Sequence, residues 1–150
     1  MIGVGSRDRG DDAAGLLAAR FLRGRLPAGV SAAYASPDPV SLIGLWEDAE
    51  QVWLIDAVVS GAAPGTLHRV DAVTERLPAR PPCRSTHALG LADAVELARA
   101  VGSLPRRLVV YGVEAAAFSL GAWPTAEVRD GARRAAHAVR AEVTAALVGG

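Results

Sequence analysis

Apolar residues in this chain follow two rhythms that alternate along its length. Continuous apolar runs read as strands covered on both faces, and apolar residues spaced three or four apart read as amphipathic helices. The clearest run is Gln51 to Val59, where Val52, Trp53, Leu54, Ile55, Ala57, Val58 and Val59 follow without alternation, which predicts a central strand. Met1 to Gly5, Val30 to Ala35, Thr66 to Val73 and Arg107 to Val113 predict four more strands. The helical rhythm predicts a helix from Asp12 to about Arg25, with Ala14, Leu17, Ala18, Phe21 and Leu22 on one face, ended by Leu26-Pro27-Ala28-Gly29. A short helix from Val40 to Asp48 follows the turn Pro37-Asp38-Pro39. Ser85 or Thr86 is placed to cap a helix that runs to about Val101 and closes at Gly102 and Pro105. Thr125 to Leu147 predicts a long final helix with Val128, Ala132, Ala135, Val139 and Val143 turned inward.

The loop Ser60 to Gly65 is too short to hold a crossover helix. The strand after it should therefore run antiparallel to the strand before it if the two pair. Strands and helices in this order predict an α/β fold: a three-layer αβα sandwich with a mostly parallel sheet and one antiparallel strand. At 150 residues, with no internal repeat and no clear linker, residues 1–150 are expected to form one domain.

Composition narrows the function classes. The 16 basic and 16 acidic residues balance, so charge gives no case for binding nucleic acid or an anionic membrane. Every basic residue is Arg, which is read as a compositional bias. No run is long and apolar enough to span a bilayer, and a strand-like start leads straight into a glycine turn. The expectation is a cytoplasmic protein without a signal peptide. The lone Cys83 rules out an internal disulfide and a cysteine-cluster zinc site, and it suits a reducing compartment.

Chemistry concentrates in three places. Gly3-Val4-Gly5-Ser6-Arg7-Asp8-Arg9-Gly10-Asp11-Asp12 puts a glycine-rich turn and adjacent carboxylates where a first strand hands over to a first helix. In an open α/β sheet that point lies at a carboxyl strand end, where ligands bind. Asp8 and Asp11 are expected to cap the helix, leaving Asp12 to face a cleft. Asp56 is the one charge inside the central strand, so it must sit at the strand end, find hydrogen bonds or hold a cation. The bland alternative is that it caps a neighbouring loop. His87 stands in the first turn of a predicted helix, where the helix dipole favours the neutral, ligand-competent ring. The alternative there is a solvent-facing residue.

Two carboxylates and an imidazole suit a divalent metal of intermediate character such as nickel or zinc, whereas calcium and magnesium prefer all-oxygen shells. The dinucleotide fingerprint lacks its third glycine, and no P-loop or G-x-S-x-G is present. His68, on an edge strand, and His137, on the last helix, read as surface residues. Trp46, Trp53 and Trp123 read as core or rim packing, with Trp123 able to line a groove.

Four stretches in order resemble the hydrogenase maturation protease family. They are Gly3-Val4-Gly5 with Arg9-Gly10-Asp11-Asp12 and Gly15; Leu54-Ile55-Asp56-Ala57-Val58 with Gly61, Pro64 and Gly65; Ser85-Thr86-His87 with Gly90-Leu91; and Tyr111-Gly112-Val113-Glu114 with Gly121 and Pro124 to Val128. The chain departs from the family pattern at Ser6, in the loop Ala35-Ser36-Pro37-Asp38-Pro39 and at Ala115. The resemblance implies a phosphorylase/hydrolase-like fold. It implies an endopeptidase that removes the carboxyl-terminal extension of a nickel-iron hydrogenase large-subunit precursor after nickel insertion. On that reading Asp12, Asp56 and His87 are the catalytic and metal-contacting residues, and the nickel arrives in the substrate. Another divalent cation could occupy the isolated protein. The protein is expected to act as a monomer on that one protein partner. The alternatives are a maturation factor that binds metal or precursor without cutting, and a different metal-dependent hydrolase with a small amide substrate.

Overall fold

The computed structural model describes residues 1–78 and 90–149. Its strands are β1 (Ile2–Val4), β2 (Ala33–Ala35), β3 (Gln51–Val58), β4 (Leu67–Asp71) and β5 (Arg107–Glu114). Its helices are α1 (Ala14–Leu22), α2 (Pro39–Trp46), α3 (Leu91–Val101) and α4 (Ala126–Val148), with a 3-10 turn at Gly10–Ala13 before α1. The strands form one sheet in the order β2-β1-β3-β5-β4. All neighbours are parallel except β4 and β5. The mixed α/β architecture expected from the apolar rhythms is the one observed.

The strand after the short loop runs antiparallel to the strand before it, as expected, although the pairing on which that expectation was conditional does not form. β4 does not pair with β3, which precedes it; β5 lies between them, with Asp56 opposite Gly112 and Gly112 opposite His68. The loop rule gave the direction correctly, but β5 covers the open edge of β3 along its whole length.

Helices cover both faces. α1 and α4 bury Ala14, Ala18, Leu22, Val128, Ala132, Ala135, Val139 and Val143 against Trp53, Ile55, Ala57, Val109 and Val113. α2 and α3 bury Leu42, Trp46, Leu91, Val95 and Ala98 against Ile2, Val4, Val52, Leu54, Leu108 and Val110. Odd and even positions of β3 therefore go to opposite layers, which explains its unbroken apolar run. The five inward positions expected on α4 are all buried.

Local chemistry sets the helix ends. Asp38 accepts from the Ser41 N–H at 2.8 Å and Pro39 opens α2, a cap followed by a proline in the first turn. Gly102 closes α3 at φ +73°, and Gly90 starts it with its N–H on Asp93. The Ser85 or Thr86 cap lies outside the described residues. Among the described residues no helix is long and apolar enough to cross a membrane.

Candidate functional site

β1 leads through α1 to β2 on one side, and the chain then crosses back to form β3 on the other. The strand order thus reverses between β1 and β3, and the crevice at their carboxyl ends is where open α/β sheets bind ligands. Both described candidate acids lie there. Asp12 stands in the 3-10 turn that follows β1, and Asp56 stands near the end of β3.

Glycines let the backbone pack closely at that end of the sheet. Gly5 has φ +151°, and a side chain there would strike the Asp12 carbonyl oxygen. Gly15, in the first turn of α1, lies so close to the carbonyl oxygens of Val4 and Ile55 that a Cβ would overlap both. The start of α1 therefore rests across the carboxyl ends of β1 and β3 at once. Asp56, immediately after Ile55, is buried, and its Oδ1 accepts from the Ala57 N–H at 2.8 Å. Asp12 is half-buried, and its carbonyl accepts from the Ser6 N–H at 3.3 Å.

The 3-10 turn corrects one expectation. Neither Asp8 nor Asp11 caps the first helix: the cap positions before the turn and before α1 are Arg9 and Ala13, and neither makes a side-chain cap. The Asp11 carboxylate is fully buried and turns toward the loop after β5. It accepts from the N–H groups of Ala116 (3.0 Å) and Ala117 (2.9 Å) on one oxygen. The other oxygen takes the N–H and hydroxyl of Thr125, at 2.7 and 2.9 Å. Burial pushes this carboxyl up, but the donors from Thr125, Ala116 and Ala117 outweigh it and hold it below the usual carboxylate range. A buried acid beside a glycine cannot be told from a helix cap in sequence, because both use the same residue types.

Glu114, at the end of β5, is a third buried acid on this edge, with Asp11 and Asp56. It accepts from the Ser60 N–H (2.7 Å) and hydroxyl (2.8 Å), the Gly61 N–H (3.0 Å) and His68 Nε2 (2.9 Å). Burial raises this carboxyl as well, and the Ser60, His68 and Gly61 donors bring it below its ordinary value. His68 is half-buried on the edge strand, against the expectation of a plain surface residue, because Glu114 draws its ring inward. The readable signal for Glu114 was an acid closing an apolar strand. His137 is exposed as expected; Trp46 and Trp53 are core residues, and Trp123 is 90% exposed.

His87 and Cys83 lie outside the described residues. In sequence His87 comes shortly before α3, and α3 packs on the sheet face that carries Val52 and Leu54, the face to which the two-residue period of β3 also assigns Asp56. Among the described residues no group of three or more His, Cys, Asp or Glu side chains is arranged to hold a metal ion.

An open α/β sheet with acids at its switch point defines a broad class of ligand-binding and hydrolytic proteins. The comparisons narrow it: the family model for hydrogenase maturation protease (HycI) matches residues 36–142, and the chain belongs to that family. It is 32% identical over 120 residues to the hydrogenase expression/formation protein HupM of Azotobacter chroococcum mcd 1, covering 77% of this chain and 56% of that protein. It is 31% identical over 118 residues to HoxM of Azotobacter vinelandii. The chain thus spans about half the length of the curated relatives it matches. Among solved structures it superposes on the hydrogenase maturating endopeptidase HybD from E. coli with a TM-score of 0.78 and 25% identity, over 97% of this chain and 91% of that one. The [NiFe] hydrogenase maturation protease HybD from Thermococcus kodakarensis gives 0.74 and 26%, over 95% and 96%.

Proposed function

We infer that this chain is a cytoplasmic endopeptidase that removes the carboxyl-terminal extension of a nickel-iron hydrogenase large-subunit precursor once nickel is seated in it. Family membership supports the reaction class. The observation that supports the site is that Asp12, in the 3-10 turn after β1, and Asp56, near the end of the neighbouring parallel strand β3, both belong to the switch point. The two carboxylates supply oxygen donors and His87 supplies an imidazole nitrogen, a set that fits an ion of nickel's intermediate character.

On this reading the metal belongs to the substrate. Asp12, Asp56 and His87 contact it, so a loaded precursor binds better than an empty one, and that difference makes cleavage depend on nickel insertion. The same donor set would accept another divalent cation in the isolated protein. The Asp56 carboxylate is held by the Ala57 N–H, and the 3-10 turn fixes the backbone that carries Asp12.

The test is incubation with nickel-loaded and nickel-free precursor, read by mass spectrometry of the precursor's carboxyl terminus. Cleavage of the loaded form alone, lost in Asp12→Ala, Asp56→Ala and His87→Ala, is expected. Full cleavage by all three variants would overturn the site assignment. Binding of the loaded precursor with no change in its mass would instead identify a non-proteolytic maturation factor.

A further inference from the structure

Asp11 lies beside Asp12 in the chain, and its carboxylate turns toward the loop after β5. Its carboxylate gathers donors from both ends of the 115–125 loop: Ala116 and Ala117 near the start, and Thr125 at the start of α4. The stitching continues along the backbone. The Asp11 N–H donates to the Ala117 carbonyl at 2.8 Å, and the Gly121 N–H donates to the Asp8 carbonyl at 2.7 Å. Gly10 leaves no room for a side chain against the Ala117 carbonyl. On its far side the 3-10 turn is held to β1 through the Ser6 N–H on the Asp12 carbonyl. The Asp12 backbone is therefore fixed from both directions, and one of the two anchors converges on a single buried carboxylate.

We propose that Asp11 is the positioning residue for Asp12: by clamping the 115–125 loop to the 3-10 turn, it sets the direction in which the Asp12 carboxylate faces the crevice. This rests on the proposed role of Asp12 in recognising the metal-bearing precursor. Asp11 itself touches no substrate. A buried acid with donors on both oxygens has no neutral substitute of equal effect. Asn keeps one acceptor but turns an NH2 group toward N–H donors, which pushes one arm of the clamp away.

The experiment compares wild type, Asp11→Asn, Thr125→Val and Asp130→Asn; the last changes an exposed acid on α4 as a control. Hydrogen–deuterium exchange is read first, without substrate. In Asp11→Asn the segments 6–13 and 115–125 should exchange at least about tenfold faster while β3 and β5 stay protected. Thr125→Val, which removes only the hydroxyl donor, should give a smaller change in the same segments. Cleavage of the nickel-loaded precursor is read second, at a temperature where every variant is folded. Asp11→Asn should lose about tenfold or more in kcat/KM, mainly through a higher KM, with Asp130→Asn within twofold of wild type. A purely structural role would lower the competent fraction, which scales kcat and leaves KM alone.

Unchanged exchange at residues 6–13 in Asp11→Asn would overturn the proposal, as would a loss confined to kcat. A wild-type protein that cleaves nothing would sink the proteolytic reading instead, and KM would then be replaced by the dissociation constant for the loaded precursor. An equal constant in wild type and Asp11→Asn would end the proposal on that measurement as well.

Discussion

Two groups of buried or half-buried carboxylates in this protein hold different things. At the carboxyl edge, Asp11 and Glu114 take hydrogen bonds chiefly from backbone N–H groups and small hydroxyls of the loops. Toward the amino edge, on the face under α4, Glu142 takes side chains: Trp53 Nε1 at 3.0 Å, the Tyr111 hydroxyl at 2.6 Å and the Arg69 guanidinium at 2.6 and 3.2 Å. Arg107 stacks over the Trp53 ring, 5.4 Å from its centroid, and reaches Glu142 at 3.6 Å. The first group shapes loops around a crevice and meets a helix only at Thr125, the residue before α4. The second ties the last helix to three strands. The difference separates residues expected to matter for activity from residues expected to matter for stability.

The sharpest way to break that contrast is a crossed pair of variants. Asp12→Ala should lower precursor cleavage by at least about a hundredfold and move the thermal midpoint by no more than about 3 °C. Glu142→Ala should do the reverse. It leaves the Trp53, Tyr111 and Arg69 donors without their acceptor, which costs about 3 kcal/mol. That loss corresponds to a midpoint lower by about 10 °C, with cleavage at 25 °C intact. Equal effects of both variants on both readouts, by differential scanning calorimetry and a cleavage assay, would dissolve the distinction.

Acid sharpens it next. Burial raises the Glu142 carboxyl, but the Arg69, Tyr111 and Trp53 donors bring it down to about 2, against an ordinary 4.5. A carboxyl depressed by folding contributes stability that is fully present above 4.5 and is lost as pH falls toward about 2. After allowance for partial exposure of the cluster, about 2 kcal/mol should disappear across that window. The Tyr111 phenol is raised to about 12, by burial first and then by the Glu142 carboxylate beside it. Its contribution holds below about 10 and is lost as pH rises from there to about 12. In Glu142→Ala the acid limb should flatten, while the alkaline limb, which rests first on burial of Tyr111, should shrink only in part when unfolding is followed against pH.

The same contrast explains what could be read from the residues alone. β3 and α4 were legible because burial repeats along them: Val52 to Val58 and the Val128 to Val143 stripe carry the period of their element. The switch-point acids were legible because a charge in an apolar strand and a glycine turn are local oddities. Asp11 was misread as a helix cap because its partners lie more than a hundred positions away, at Ala116, Ala117 and Thr125. The Glu142 cluster left no trace, since Glu on an exposed-looking helix turn is ordinary until Trp53, Arg69 and Tyr111 converge on it from three strands. β4 was given the right direction with its pairing left open, because loop length constrains orientation and says nothing of which strand fills the gap.

The smallest effect probes how far a side chain matters where backbone donors dominate. Glu114 holds its loop through the Ser60 N–H, the Ser60 hydroxyl and the Gly61 N–H, and His68 adds a fourth donor from the edge strand. The imidazole is 35% exposed at its side chain, so water can replace it at the carboxylate oxygen. His68→Ala should therefore cost only about 1 kcal/mol and leave the exchange of the Ser60 and Gly61 amides within a few-fold of wild type. A larger loss, with those amides exposed, would mean that the imidazole orients Glu114 rather than merely joining it. The carboxyl edge would then depend on side-chain convergence as the Glu142 cluster does, and the two regions would differ in place but not in kind.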